Sequence, residues 1–121
     1  MSSIRAEENG DVRVIYFNEN KILDEAKIQQ IHNDLNAELA EVRAGKFLLN
    51  FDRVTFMSSA MIGKIILLNK KCKSSDVKFK LCNISDNVME VFKLMRLNKV
   101  LDIQKDEESA LASFAKKGWF G

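Results

Sequence analysis

Two adjacent serines, Ser58 and Ser59, are the residues whose type and position best suit chemistry. They follow a short apolar run at 47–51, typical of a buried strand, and precede an apolar stretch that predicts a helix from about Ser59. A hydroxyl in the first turn of a helix faces unpaired backbone N–H groups and the positive end of the helix dipole, so an added phosphate is tolerated there. The junction therefore indicates a phosphorylation switch.

Capping of the helix is the alternative role for these hydroxyls. Serine is among the best capping residues, so Ser59 is equally well explained as the N-cap. Ser58 is interpreted as the cap itself or as a second hydroxyl of the turn, not as an independent phosphate acceptor. The sequence leaves both roles of Ser59 open, and both can hold at once.

Two polar residues precede the serines in the same connection. Asp52 follows the apolar strand at its carboxyl end, where open parallel sheets place functional groups, and we expect it to orient the loop through Asx-type hydrogen bonds. Thr55 is expected to hydrogen-bond within the turn. Both are interpreted as neighbours of the site rather than as acceptors of phosphate.

No group of residues predicts catalysis or metal binding. His32 is the only histidine, and it lies beside the apolar stripe of a predicted helix with no candidate partner. Cys72 and Cys82 belong to no Cys-x-x-Cys pattern and are interpreted as reduced structural thiols. The sequence also lacks a Gly-rich phosphate loop and paired carboxylates, so we expect no enzymatic activity, no cofactor and no metal.

Composition narrows the class of protein further. A chain of 121 residues with 46% hydrophobic residues suits one domain spanning 1–121. Nineteen basic and 17 acidic residues leave a formal net charge of +2, which does not favour nucleic acid as a partner. No apolar run has the length of a signal-peptide core or a membrane span, so we expect no direct membrane insertion and a cytoplasmic location.

Predicted helices and strands alternate along the chain. Asn9-Gly10 predicts a hairpin turn between two N-terminal strands, Asp24 and Ser85 predict helix caps, and Gly45 predicts a helix end. The predicted strands lie at 4–7, 12–17, 46–51, 77–83 and 100–103, and the predicted helices at 24–45, 59–72, 85–95 and 106–114.

This order predicts an α/β fold with a mixed, mostly parallel sheet of about four to five strands, an antiparallel N-terminal hairpin and helices mainly on one side. Apolar residues and lysines alternate at 77–83, which predicts an edge or near-edge strand. The helix from Ser59 is apolar on more than one face, so we expect part of its apolar surface to be exposed near its start.

Three segments of the chain resemble a known family. The stretches at 51–66, 77–85 and 91–100 resemble the STAS domain of anti-sigma factor antagonists, and the resemblance extends over essentially the whole chain. In this family an Asp-Ser-Ser/Thr-Gly-Leu-Gly motif opens the second helix. The first hydroxyl residue of the motif is phosphorylated by an anti-sigma factor that is also a serine kinase.

Alignment of this chain on Phe56-Met57 and Gly63 places the acceptor of the family motif at Ser59. Ser58 then stands where the family carries Asp, and Met61 where it carries Gly. The neutral Ser58 removes a contact for the kinase and also removes repulsion from an adjacent phosphate. For Asp52, contact with the nucleotide-bound site of the kinase is the alternative to its loop-orienting role.

The resemblance implies a protein that binds rather than catalyses. Its partner would be an anti-sigma factor with serine kinase activity, and binding would release a sigma factor. We expect the partner to contact the second helix around Ser59, where apolar side chains would anchor it and a lysine would orient it. The residues assigned to this contact are Met61, Ile62, Lys64 and Ile65.

The resemblance also leaves a second function open. STAS domains serve as scaffold subunits of signalling assemblies or of lipid-transport complexes, and such a subunit works without phosphorylation. Met61 and the apolar pair Trp119-Phe120 near the C-terminus favour this alternative, because they offer surface for self-association or assembly. Docking of the apolar pair on the body of the domain is the simpler interpretation.

Overall fold

The computed structural model describes residues 2–115. The predicted contact of Trp119 and Phe120 lies outside these residues. The strands are β1 (Ile4–Asn9), β2 (Val12–Phe17), β3 (Lys21–Ile22), β4 (Lys46–Asn50), β5 (Phe56–Met57), β6 (Lys78–Cys82) and β7 (Ile103–Gln104). The helices are α1 (Glu25–Leu39), α2 (Ser59–Ser74), α3 (Asp86–Leu94) and α4 (Glu107–Ala115), with a 3₁₀ turn at Leu97–Lys99.

Five strands form the main sheet in the order β1-β2-β4-β6-β7. β1 and β2 are antiparallel, and every other neighbouring pair in this sheet is parallel. The mixed sheet with its N-terminal hairpin confirms the predicted fold. β3 and β5 form a separate parallel ladder of two residues each, which was not predicted because strands this short carry no periodicity.

The sheet has a core on each face. Alternate residues of β2 and β4, such as Ile15 and Leu49, pack under α1, α2 and α3, whereas Val14 and Leu48 pack under Ala110 and Phe114 of α4. Three helices therefore cover one face and one helix covers the other. The prediction that helices lie mainly on one side is confirmed.

The turn of the hairpin lies one residue later than predicted. Asn9 still pairs with Val12, so the two turn residues are Gly10 and Asp11 rather than Asn9 and Gly10. Gly10 has a φ of 62°, a value that glycine adopts without steric cost. The glycine therefore takes the first central position of the turn, and Asn9 remains in the strand.

Two further predicted boundaries were wrong. α1 ends at Leu39, and Gly45, with a φ of 71°, instead leads into β4 and accepts a hydrogen bond from the N–H of Lys78 at 2.8 Å. The last strand begins at Ile103 rather than near Val100, because the N–H groups of Val100 and Leu101 both donate to the Leu97 carbonyl and hold the chain in a helical turn. The edge strand is consequently only two residues long.

None of the helices within residues 2–115 combines the length and the apolar character needed to cross a membrane.

Candidate functional site

The loop that leads from β4 to the serines is shaped by Asn50. The buried amide of Asn50 accepts a hydrogen bond from the N–H of Asp52 at 2.9 Å and donates one to Glu107 of α4 at 2.9 Å. The exposed carboxylate of Asp52 makes no hydrogen bond to any residue between 2 and 115. The loop-orienting role expected of Asp52 is therefore filled by Asn50, whose side chain has the two-residue spacing that an Asx turn requires.

Thr55 joins this loop to the segment before α1. Its N–H donates to the carbonyl of Asn20 at 2.8 Å, and its hydroxyl donates to the side-chain oxygen of Asn20, also at 2.8 Å. The hydroxyl of Ser85, at the start of α3, donates to the Thr55 carbonyl at 3.2 Å. Thr55 is thus a structural residue, but its partners lie across the fold rather than within its own turn.

The two serines have different roles at the start of α2. Ser58 is the N-cap: its backbone is extended, its hydroxyl accepts a hydrogen bond from the N–H of Met61 at 3.4 Å, and its own N–H donates to the Ile22 carbonyl at 3.0 Å. Ser59 is the first helical residue, and its exposed side chain makes no hydrogen bond within the described part of the chain. The capping hydroxyl and the free hydroxyl are therefore on separate residues.

The surroundings of Ser59 suit a negative charge. The N–H groups of Ser59 and Ala60 belong to the first turn, where a helix has no internal acceptor for them. This turn contains no acidic residue, so no side chain within it repels an added phosphate. A group attached to the Ser59 hydroxyl would lie beside these donors.

Three of the four residues predicted to contact a partner are buried, so the expectation that they form an exposed surface is wrong. Met61, Ile62 and Ile65 are 0–1% exposed and pack in the core beneath α1, α2 and α3. They recur at intervals of three and four residues on the inner side of α2, which buries them against the sheet. Lys64 is half-buried, and its ammonium helps to lower the pKa of His32 on α1, so it lies toward α1.

A different set of residues is exposed on α2 and on the β3–β5 ladder that leads into it. We call this set the docking face. Leu23 is 49% exposed, Phe56 is 42% exposed and Leu67 is 50% exposed. Ala60 and Gly63 lie on the same outward stripe of α2 as Leu67, and a Cβ at Gly63 would meet no atom within 4 Å. The docking face consists of Leu23, Phe56, Ser59, Ala60, Gly63 and Leu67.

The docking face was missed although one signal for it exists. Met61, Ile65, Leu68 and Cys72 repeat at steps of four, three and four residues, which is the spacing of a buried stripe. That phase directs Leu67 outward. No comparable signal marks Leu23 or Phe56, because their positions depend on the short β3–β5 ladder.

The remaining candidate side chains are those of His32, Cys72 and Cys82. Burial, followed by the charges of Lys64 and Lys71, lowers the pKa of His32, which therefore stays neutral near neutral pH. Burial raises the pKa of both free thiols, Cys72 and Cys82, to about 12. Among residues 2–115 no three His, Cys, Asp or Glu side chains cluster in a way that could hold a metal ion.

Comparisons with known proteins agree with this fold. A family model of the STAS domain matches residues 3–110. An anti-sigma-factor antagonist (STAS) domain protein of Planctomyces limnophilus superposes with a TM-score of 0.84 and 23% identity, covering 93% of this chain and 98% of that one. A candidate anti-sigma factor antagonist of Thermotoga maritima superposes with a TM-score of 0.80 and 20% identity, covering 93% and 95%.

A third solved structure is similar at lower geometric agreement. The Bacillus cell fate determinant SpoIIAA in its phosphorylated form superposes with a TM-score of 0.67 and 19% identity, covering 92% of this chain and 98% of that one. At these levels of identity the three structures show a shared fold.

Proposed function

This chain belongs to the STAS domain family, and from that premise we propose that it is an anti-sigma factor antagonist that phosphorylation of Ser59 switches off. Its docking face binds an anti-sigma factor with serine kinase activity, in the cytoplasm, and a sigma factor is released. The protein contributes a binding surface, and the chemistry of phosphate transfer belongs to the partner.

One observation carries this proposal. The Ser59 hydroxyl is exposed and free of hydrogen bonds among the described residues, and it lies in the first turn of α2, which contains no acidic residue. A kinase can reach such a hydroxyl without unfolding the helix. Because the neighbouring Ser58 caps the helix, modification of Ser59 leaves the cap intact.

A phosphate at Ser59 changes binding more than it changes folding. It adds about 1.5 to 2 negative charges at neutral pH. The helix terminus stabilises such a charge by roughly 0.3 to 1 kcal/mol, so the domain stays folded. Removing the phosphate from water against an apolar partner surface costs several kcal/mol, which the helix terminus does not offset. The phosphorylated domain is therefore intact but unable to dock.

Both departures from the family motif are compatible with this switch. Met61 is 0% exposed, so the side chain that replaces the family's glycine fills the core and leaves the docking face unobstructed. Ser58 supplies the cap that an Asp would otherwise supply, without placing a negative charge beside the phosphate. The kinase therefore has to recognise this chain without a carboxylate at position 58.

The test compares Ser59→Asp and Ser59→Ala in binding to purified anti-sigma factors of the source organism by isothermal titration calorimetry. We expect Ser59→Ala to bind like the unchanged protein and Ser59→Asp to lose measurable binding. Ser75→Asp, which adds the same charge at the other end of α2, is the matched control and should bind normally.

A parallel incubation with the anti-sigma factor and ATP should add one phosphate, and peptide mass spectrometry should locate it at Ser59. Equal affinities for Ser59→Asp and the unchanged protein would contradict the switch. If light scattering then showed a stable assembly, a scaffold subunit of a signalling or lipid-transport complex would be the better description.

A further inference from the structure

A second candidate binding surface lies along the side of β6 that β7 leaves partly open. It is about 15 Å from Ser59, measured along the axis of α2. A groove of about 420 Å³ runs there, between the C-terminal half of α2 and the last turn of α4. Its lining includes Asn69, Lys73, Lys78, Phe79, Val100 and Ser113. We call it the edge groove.

The edge groove exists because β7 covers only part of β6. β7 pairs with Leu81 and Cys82, and among residues 2–115 no strand pairs with the first three residues of β6 on that side. Lys78 donates its N–H toward β4, whereas Leu81 donates its N–H toward β7, to the Asp102 carbonyl at 2.9 Å. Since alternate residues of a strand point to opposite neighbours, the N–H and C=O of Phe79 point into the edge groove.

No backbone group between residues 2 and 115 pairs with the N–H or the C=O of Phe79 on this side. Unpaired strand edges of this kind recruit an additional strand. Val100 is 52% exposed at the same place and offers an apolar contact beside the free edge.

Asn69 places a polar side chain in the edge groove. It is only 5% exposed, lines the edge groove, and has no hydrogen-bond partner for its side-chain amide within the described residues. The side-chain amide atoms of Asn69 are not among the buried atoms without a partner, so water reaches them through the groove. A backbone that enters the groove can hydrogen-bond to this amide from the side of α2.

The charge of the edge groove indicates the chemistry of its partner. Lys80 is already paired with Asp102 at 2.8 Å. Lys73 and Lys78 line the groove, are exposed, and make no ion pair with any residue that the structure describes. Two free ammonium groups beside an open strand edge favour a partner segment with acidic side chains.

We propose that the edge groove binds an extended, acidic segment of another protein, which adds a strand beside β6. Main-chain hydrogen bonds form to Phe79, the Asn69 amide hydrogen-bonds to the added strand in place of water, and acidic side chains approach Lys73 and Lys78. A second copy of this chain is a poorer occupant, because symmetric pairing of two such edges would set these lysines against one another. The site is independent of the proposed switch at Ser59.

The probe is a seven-residue peptide with blocked termini in which glutamate and valine alternate. Titrated into the ¹⁵N-labelled protein, it should shift the amide resonances of residues 77–80, and of the Asn69 side chain, more than those around Ser59. Two further peptides carry N-methyl groups on one or the other set of alternate amides. One of these should bind like the parent peptide and the other should not bind, because only one set faces β6.

Charge variants sharpen the test. Lys73→Glu and Lys78→Glu should each weaken the affinity about fivefold, as expected when one exposed ion pair is lost. Lys70→Glu is the matched control: Lys70 is exposed on α2 but does not line the edge groove, and its variant should bind normally.

The proposal is overturned if the peptide causes no shifts at 77–80, or if both N-methylated peptides bind as tightly as the parent. It is also overturned if these amides shift with protein concentration in the absence of peptide, since a second copy would then occupy the edge. Each variant is first checked by its ¹⁵N spectrum, so loss of binding is distinguished from loss of the fold.

Discussion

The docking face and the edge groove are built in opposite ways. At the docking face the backbone is hydrogen-bonded. Ser58 caps α2 and its N–H donates to the Ile22 carbonyl, and the N–H of Thr55 donates to the Asn20 carbonyl. The exposed Ser59 hydroxyl makes no hydrogen bond within residues 2–115. The edge groove includes charged side chains, and within residues 2–115 no backbone group pairs with Phe79 on that side.

This difference teaches how each surface can be controlled. A surface whose backbone is satisfied presents only side chains, so one added charge is enough to change what it binds. A surface with a free strand edge binds through its main chain, and altering one side chain only tunes its affinity. We therefore expect all-or-none control at the docking face and graded control at the edge groove.

The largest effect is expected beneath the docking face. Met61→Ala removes a fully buried side chain and should lower the free energy of unfolding by about 2 to 5 kcal/mol, measured by urea denaturation. Leu67→Ala, at a position 50% exposed on the same helix, should cost much less. If Met61→Ala kept its stability but weakened partner binding, Met61 would belong to the docking face after all, and the inner and outer sides of α2 would have to be exchanged.

The outer stripe of α2 gives the next effect. Leu67→Gln should weaken binding of the anti-sigma factor by roughly tenfold or more, because an apolar anchor is replaced by a group that has to be dehydrated. Calorimetry would measure this, with little change expected in the stability of the domain. Leu94→Gln is the matched control, since Leu94 is 84% exposed but lies at the end of α3, outside the docking face. Equal losses from both variants would show that the partner contact is not confined to α2.

The different roles of Ser58 and Ser59 predict a smaller effect on stability. Ser58→Ala removes the cap and should destabilise the domain by about 1 kcal/mol, whereas Ser59→Ala should be close to neutral. Thermal and urea unfolding of the two variants make the comparison. A cost for Ser59→Ala as large as that for Ser58→Ala would mean that the Ser59 hydroxyl supports the helix, so that phosphate would disturb the fold as well as the surface.

The smallest effect is expected at the edge groove. Asn69→Leu replaces an amide that reaches solvent in the groove with an apolar side chain of similar size, and should change the free energy of unfolding by less than about 1 kcal/mol. The same variant should bind the glutamate–valine peptide more weakly. A larger destabilisation would show that the amide is needed by the free protein and is not reserved for a partner.

Strong local signals in the sequence predicted most of the fold. The hairpin, the caps at Asp24 and Ser85, and the alternation of strands and helices were all found, because each depends on neighbouring residues. The helix end predicted at Gly45 was wrong because a glycine with positive φ can precede a strand as readily as it can end a helix.

The site was harder to predict than the fold. Ser58 and Ser59 were recognised from their position, but only the structure separates the capping hydroxyl from the free one. Met61 was placed outside because a helix that is apolar all round offers two plausible inner sides. Phe56 could not be found at all, since its exposure follows from pairing with the distant β3.

The β3–β5 ladder has a mechanical consequence for the whole domain. It joins the segment before α1 to the segment before α2, and the N–H of Ser58 donates to the Ile22 carbonyl. The starts of the two helices are therefore connected by hydrogen bonds. A partner that contacts Phe56 is therefore expected to affect the first turns of both helices. Amide hydrogen exchange should detect this coupling. When the partner binds, the exchange rates of the Thr55 and Ser58 amides should fall together, and the exchange rates in the first turn of α1 should change with them.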